Sequence, residues 1–359
     1  GSVIPNSNIL VSVESTDPKA FWLVSWLETS LLRNVWYGVN VATRSYTIKQ
    51  IIKQGLKLSS DNPDLELPFK LHDFGARGVS SQESAMLGGA AHLVNFMGSD
   101  TVVGVLCANE YYNEPMAGFS IPASEHSSIT SWGKDNEAYA YRNMIKQFGK
   151  PGALFACVSD SYDIYNACAS LWGNILKQEV IDSGATLIVR PDSGKPTEVV
   201  LKCLQILDEK FGHTVNLKGF KVLNNVRVIQ GDGIDEHSIK NIIDVIISAG
   251  YSLTNVAFGM GGQLLQGHNR DTNKFAMKAS SITVNGEERD VFKDPITDFG
   301  KRSKKGRLDL ILNGDKYETV SLLPNQINHK DSIMQTVYEN GNLLIDDTFE
   351  AIRNRSNKL

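Results

Sequence analysis

Between residues 69 and 283, short β-rich runs recur about every 30 residues with helical patterns between them, which is the spacing of βα units. The runs are Phe69–His72, Thr101–Leu106, Phe119–Pro122, Ala153–Val158, Ala185–Val189, Arg227–Gln230, Asn255–Phe258 and Phe275–Thr283. They are apolar throughout rather than alternating, as parallel strands covered on both faces are. The intervening helices carry their own punctuation. Ser80–Asn95 opens with Ser80 and Glu83 at capping-box spacing. Tyr162–Val180 has apolar residues at helical spacing, and Pro196–Phe211 has its proline where a missing N–H costs nothing. Asp235–Ala249 starts on a capping residue and stops before Gly250. The pattern predicts an α/β fold with an irregular (β/α)8-type barrel. A doubly wound open sheet is the alternative, because periodicity does not distinguish closure.

The flanks differ from the middle. Residues 1–66 predict one strand (Asn8–Ser15), an aromatic helix (Pro18–Leu32) and a second helix (Ser45–Leu58). Residues 284–359 carry hairpin turns at Asn285-Gly286, Asn313-Gly314 and Asn340-Gly341. The expected organisation is a barrel domain, 67–283, inserted in a discontinuous α+β domain made of 1–66 together with 284–359.

Charge and composition exclude whole classes. With 36 basic against 40 acidic residues, the net charge of -4 argues against a nucleic-acid partner. No apolar run spans a bilayer, and the start has neither the basic nor the apolar region of a signal peptide, so no membrane partner is expected. Cys107, Cys157, Cys168 and Cys203 are widely spaced, with no CxxC pair. Free thiols in a reducing, cytoplasmic compartment are the expectation. The chain opens Gly1-Ser2 with no initiator Met, as a short added leader or a start inside a longer protein would.

In barrels, chemistry gathers at the C-terminal ends of the strands. There the sequence places His72-Asp73-Phe74-Gly75-Ala76-Arg77-Gly78, an aromatic and an arginine among glycines, suited to stacking a planar ring and clamping an anion. A simple turn has the same composition. Asp100 follows a Gly-Ser pair, where a plain turn residue is the commoner case. Glu125-His126-Ser127 offers a histidine for acid/base or phosphoryl-acceptor work. Ser159-Asp160-Ser161-Tyr162-Asp163 can cap a helix, or serve a sugar or a hydrated metal. Arg190-Pro191-Asp192-Ser193-Gly194 sets a guanidinium and a carboxylate two apart before a helix start. Gly231-Asp232-Gly233 lets a ligand approach the backbone. Gly259-Met260-Gly261-Gly262, with Arg270 beyond it, is not a P-loop but lies where many barrels bind phosphate. The basic run Lys301–Arg307 reads as a solvated face, a phosphate-binding lid or a subunit contact. Together these clusters point to an anionic, hydroxylated and partly planar ligand, a sugar phosphate plus a flat ring.

These motifs closely resemble the nicotinamide phosphoribosyltransferases of the type II phosphoribosyltransferase group. The matching segments are Lys70–Gly75, Arg77–Glu83, Glu125–Ser127, Val158–Asp163, Arg190–Gly194, Ile229–Gly233, and Phe292–Pro295 with Lys301–Arg307. The resemblance implies transfer of the phosphoribosyl group of phosphoribosyl pyrophosphate to nicotinamide, giving nicotinamide mononucleotide and pyrophosphate. It also implies Mg²⁺, ATP coupled through a phosphohistidine, and a homodimer with sites at the subunit interface.

By the same match His126 is the phosphorylated histidine, with Glu125 as its orienter. Phe74 stacks on the pyridine ring, and Asp100 and Arg190, next to Pro191, face the carboxamide. Arg77, Gly261, Gly262 and Arg270 hold the product phosphate. Asp192, Gly231 and Asp232 serve the ribose, with Ser159 or Asp163 in the ring or metal shell and Asp192 or Asp163 as the metal ligand. Lys293 and Lys301 are phosphate or interface candidates. Ala76 and Met260 depart from the family pattern. Family members also carry a segment before the position of Gly1, whose aromatic closes the ring sandwich across the dimer. Two rivals stand beside this reading: a nicotinate phosphoribosyltransferase, and a catalytically inactive nucleotide-binding relative.

Overall fold

The computed structural model describes residues 1–324 and 326–357. Its internal contacts group the chain into two compact units, 41–268 and a discontinuous unit of 1–40 with 269–359. The sequence spacing draws the corresponding boundary at 67–283.

A single helix, α1 (Leu23–Ser59), replaces the two expected helices in the N-terminal flank. No proline interrupts it, and Val41, Ser45, Ile48, Ile52, Leu56 and Ser59 are buried at steps of three and four. That stripe keeps 41–59 helical and outweighs the cost of β-branched residues and Gly38 along the helix.

Unit 41–268 is built on a curled, half-barrel sheet of six parallel strands. In chain order its elements are β1 (Leu71–Asp73), α2 (Gln82–Leu93), β2 (Gly98–Ser99), α3 (Val102–Tyr112), α4 (His126–Thr130), α5 (Glu137–Phe148), β3 (Leu154–Val158), a π-helix (Ala167–Ile175), α6 (Lys177–Ser183), β4 (Thr186–Arg190), α7 (Pro196–Phe211), β5 (Val226–Gln230), α8 (Glu236–Ser248) and β6 (Val256–Met260). The strand order is β2-β1-β6-β5-β4-β3. Burial along the strands is nearly continuous: Phe155, Cys157 and Val158 on β3, Leu187 and Val189 on β4, Val226, Val228 and Ile229 on β5, Val256, Phe258 and Met260 on β6. This is why they read as apolar runs rather than as alternating ones. A seventh extended segment touches both edges, with Phe119 bridging Gly98 and Ala123 bridging Ala156, both parallel.

Two expected strands are corrected. Thr101–Leu106 is not a strand but the start of α3; the strand is the preceding Gly98–Ser99. Gly104, Cys107 and Ala108 are buried at helical spacing. A Cβ on Gly104 would stand 2.8 Å from Gly89 Cα, so α3 and α2 meet through glycines. Phe275–Thr283 does not join the sheet; Ser281–Val284 pairs antiparallel with Glu287–Asp290 in the other unit.

The helix expected over Tyr162–Val180 is broken into a short α turn, the π-helix and α6. The α2 cap is Ser81, whose hydroxyl accepts from Ser84 N, rather than Ser80. Helices α7 and α8 match their expected spans, and α8 has the Asp235–Ser238 capping box.

In the discontinuous unit, Asn8–Ser15 forms no strand; Ile9 N instead donates to Thr319 Oγ1 at 3.0 Å. The three hairpins form as expected, Leu308–Asn313 with Lys316–Ser321 being the longest. Asn285-Gly286 and Asn340-Gly341 have positive φ at both positions, as a two-residue type I′ turn demands. No helix among the described residues is long and apolar enough to cross a membrane.

Candidate active site

The chain leaves β1 through a tight turn that aims Phe74 along the strand ends. Phe74 N donates to Met260 O at 3.0 Å, and Gly75 N donates to Asp73 Oδ1 at 2.7 Å. The ring lies against the backbone of β6 and of the loop after β5. A Cβ on Gly259 would fall 2.0 Å from Phe74 Cε2, and one on Gly231 would fall 3.3 Å from both Phe74 Cε2 and Asp192 Oδ1. Glycine at 259 is therefore required by the close approach of the ring. The Arg190 guanidinium stands 6.0 Å from the ring centroid and its Nη2 donates to Asp192 Oδ2 at 3.4 Å. Arg190 Nε and Gln230 Oε1, at the ends of adjacent strands, are both buried without a hydrogen-bond partner.

A second cluster forms where α4 begins. His126 Nε2 and Asp160 Oδ1 are 3.0 Å apart, and His126 Nδ1 stands 4.0 Å from Asp192 Oδ2. The other oxygen of Asp160 accepts from Asp192 N at 2.9 Å and from Ser193 Oγ at 2.6 Å. Asp160 is 4% exposed while His126 is 43% exposed, so a buried carboxylate fixes an imidazole that a ligand can reach. An ionised Asp160 carboxylate accepts only, so it favours a proton on Nε2 and leaves Nδ1 as the nitrogen turned toward Asp192.

The remaining expected residues separate clearly. Glu125 is the N-cap of α4, in a capping box with Ser128, and makes no bond to His126. Ser159 is fully buried; its hydroxyl donates to Cys157 O and accepts from Trp172 Nε1. Asp163 caps the short helix Ile164–Asn166 through Oδ1. Pro191 is buried and Asp232 exposed, with its carbonyl accepting from Gln230 Nε2 at 2.9 Å. Gly261 and Gly262 follow β6 below Phe74, where a Cβ on Gly261 would meet nothing nearer than Phe74 O at 3.7 Å. Arg77 is exposed on the turn Ala76–Gly78. Asp100 is exposed at the end of β2, its N donating to Asp73 O and its Oδ1 accepting from Ser120 Oγ at 2.6 Å. Arg270, Lys293 and Lys301 belong to the other unit and are exposed. Arg270 pairs there with Asp271 and Phe275 O, and Lys301 with Asp298.

Burial lifts Asp73 from 3.8 to about 6, with the neighbouring Asp100 carboxylate adding to the rise. Burial likewise pushes the Cys157 thiol up to about 12 and keeps it inert.

Residues 69–342 match the nicotinate phosphoribosyltransferase (NAPRTase) family. The chain belongs to that family. It is 56% identical over 357 residues to the nicotinamide phosphoribosyltransferase of Xanthomonas campestris pv. campestris, a match covering 98% of this chain and 76% of that protein. It is 30% identical over 369 residues to the nicotinamide phosphoribosyltransferase of Acinetobacter baylyi, covering 96% and 72%. The crystal structure of nicotinate-nucleotide pyrophosphorylase from Pyrococcus furiosus shares the fold, with a TM-score of 0.55 at 18% identity over 92% of this chain and 71% of that one.

The sequence reading did not single out Asp160, the carboxylate that meets His126, Asp192 N and Ser193. Asp160 lies among Ser159, Ser161 and Asp163, and nothing in that run singles out which carboxylate turns toward His126. Its place directly after a strand was the one available signal.

Proposed function

We propose that this chain transfers the phosphoribosyl group of phosphoribosyl pyrophosphate to nicotinamide, forming nicotinamide mononucleotide and pyrophosphate in NAD salvage. The observation that carries the reading is the 56% identity to a nicotinamide phosphoribosyltransferase across nearly the whole chain, and the meeting of Phe74, Arg190 and Asp192 over Gly231 and Gly259 is consistent with it. Phe74 gives a face for a pyridine ring, and Arg190 offers donors to a carboxamide oxygen. The ring nitrogen attacks the anomeric carbon as its bond to pyrophosphate breaks. The sugar passes through an oxocarbenium-like state, and the Asp192 carboxylate stabilises that charge electrostatically.

His126 is read as a phosphoryl acceptor for ATP. Nδ1 attacks the γ-phosphorus, the bond to ADP breaks, and Asp160 holds the charge left on the imidazolium. Asp192 suits Mg²⁺, which takes a carboxylate or two along with phosphate oxygens and water; Asp163 has one oxygen committed to its helix. Bound there, the ion would neutralise the departing pyrophosphate. Arg77, Gly261 and Gly262 are read as the phosphate end. The curled sheet is read as an irregular barrel joined by the segment 119–123, the protein as a homodimer, and its four free thiols as suited to the cytoplasm.

Nicotinate is the second reading, favoured by the family's own substrate name. The Asp100 carboxylate argues against it, since it would repel a ring carboxylate. The test is formation of nicotinamide mononucleotide against nicotinate mononucleotide by the full chain with the two bases in competition. Asp100→Ser is expected to shift relative kcat/KM toward nicotinate, and His126→Ala to lose ATP stimulation while retaining basal transfer. No turnover with either base would leave only the inactive relative.

A further inference from the structure

We propose that Trp172 is a positioning residue for the Asp160–His126 pair, acting through Ser159. For its functional meaning this rests on the reading of His126 as the reacting imidazole. Ser159, the residue immediately before Asp160, is held at three points. Its backbone N donates to Arg190 O at 3.0 Å, its hydroxyl donates to Cys157 O at 2.9 Å, and Trp172 Nε1 donates to that hydroxyl at 3.0 Å. Serine has one proton to give and gives it to Cys157 O. The incoming bond must therefore come from a pure donor, which indole N–H is. The direction of the chain Trp172 to Ser159 to Cys157 is thereby fixed. Ser159 and Trp172 are fully buried, so no water competes for these bonds.

Trp172 is itself immobilised. Its ring lies flat on Tyr141, with centroids 4.4 Å apart and planes inclined by 11°. It sits in the π-helix, where Leu176 N reaches back five residues to Leu171 O at 2.9 Å. Such widened turns recur at functional sites because they re-aim a side chain within a helix. The three bonds Asp160 makes, to His126, Asp192 N and Ser193, all depend on where Ser159 places the next Cα. An error of this kind is costly, since small displacements of a reacting group lower the rate steeply.

The experiment uses the full chain labelled with 15N-histidine. The His126 ring resonances are compared in wild type, Trp172→Phe, Ser159→Ala and Cys168→Ala, with Asp160→Asn as the reference for a broken contact; Cys168→Ala disturbs the same buried π-helix through a side chain whose partner is Cys203 rather than Ser159. Trp172→Phe keeps an aromatic ring on Tyr141 and removes only the N–H donor. The His126 Nε2 resonance is expected to move toward the Asp160→Asn value in Trp172→Phe and in Ser159→Ala, and to stay in place in Cys168→Ala. Transfer of label from γ-labelled ATP to His126 should fall about tenfold in the same two variants, the size of one lost hydrogen bond, with the nicotinamide KM unchanged. Wild-type resonances in both variants would overturn the proposal, as would an equal movement in Cys168→Ala, which would mean that any disturbance of this core suffices. Should Trp172→Phe fail to fold, Ser159→Ala decides alone. A wild type that takes no label from ATP removes the phosphohistidine reading, and the resonances still decide the role of Trp172.

Discussion

Asp160 Oδ1 meets His126 Nε2 at 3.0 Å across 34 residues of sequence, and this contact leaves Nδ1 as the imidazole nitrogen not engaged by Asp160. With Nε2 facing Asp160, Nδ1 is the nitrogen that the proposed phosphoryl transfer would use. Asp160→Ala removes the orienting acceptor and also frees Asp192 N and Ser193 Oγ. His126 labelling by ATP is expected to drop about a hundredfold or more, the range of a lost acid/base orientation. The nicotinamide KM should move far less, because Phe74 and Arg190 stay in place. An unchanged labelling rate would detach Asp160 from the phosphoryl step.

Gly259 is the floor beneath Phe74. A methyl group there would lie 2.0 Å from Phe74 Cε2, so Gly259→Ala must displace the ring or the strand. Overpacking of this kind costs about 1–3 kcal/mol. The expected result is a lowered melting midpoint together with a raised KM for nicotinamide. Wild-type KM in a destabilised protein would mean that the ring swings away without bearing on the base.

How far such relationships could be read in advance varied with their physics. Local signals were legible: Pro196 and Asp235 mark helix starts, and Asn285-Gly286 marks a hairpin, because each acts through its own backbone. Phe74, Arg190 and Asp192 were legible as strand-end residues, since parallel strands deliver their ends to one side. Thr101–Leu106 misled, because its β-branched residues look extended while burial of Gly104 and Cys107 makes it helical. Glu125 is adjacent to His126 in sequence, but its side chain is directed into its own helix cap, which adjacency alone does not reveal. The partner that matters, Asp160, arrives from another strand, and only the pairing of strands brings it there. The Ser159 hydroxyl was read as ligand-facing, and only the π-helix shows that it faces Trp172.

Helix α8 offers a separate check on local energetics. Asp235 accepts from Ser238 N at 2.7 Å, and that backbone bond holds its carboxyl below the usual carboxylate range. Asp235→Ala is expected to destabilise the chain by about 1 kcal/mol. The benefit of the carboxylate is present above its unfolded pKa and is lost as pH falls, so the penalty should shrink in acid. Urea unfolding at neutral and acidic pH measures both; a penalty that grows in acid would contradict the cap.

Asp73 behaves in the opposite sense. It is fully buried, Gly75 N donates to its Oδ1, and Oδ2 has no hydrogen-bond partner. The Thr101 hydroxyl, also without a partner in bonding geometry, lies near enough only to temper the rise that burial causes. With a folded pKa of about 6 against 3.8 unfolded, the native state binds the extra proton between those values. The stability tied to the protonated form is complete below the unfolded value and is lost as pH rises through the folded one. Above that the buried carboxylate costs about 3 kcal/mol. Asp73→Asn retains an acceptor for Gly75 N and sets an amide donor toward the Thr101 hydroxyl, with no charge to bury. It is expected to raise stability at neutral pH, with a gain that declines through weakly acidic pH and vanishes below the unfolded carboxyl pKa. Chemical unfolding of both proteins across that range tests it. A constant difference at every pH would show that the Asp73 carboxyl titrates alike in the folded and unfolded chain, and a loss of stability at neutral pH would show that its charge is held by a partner.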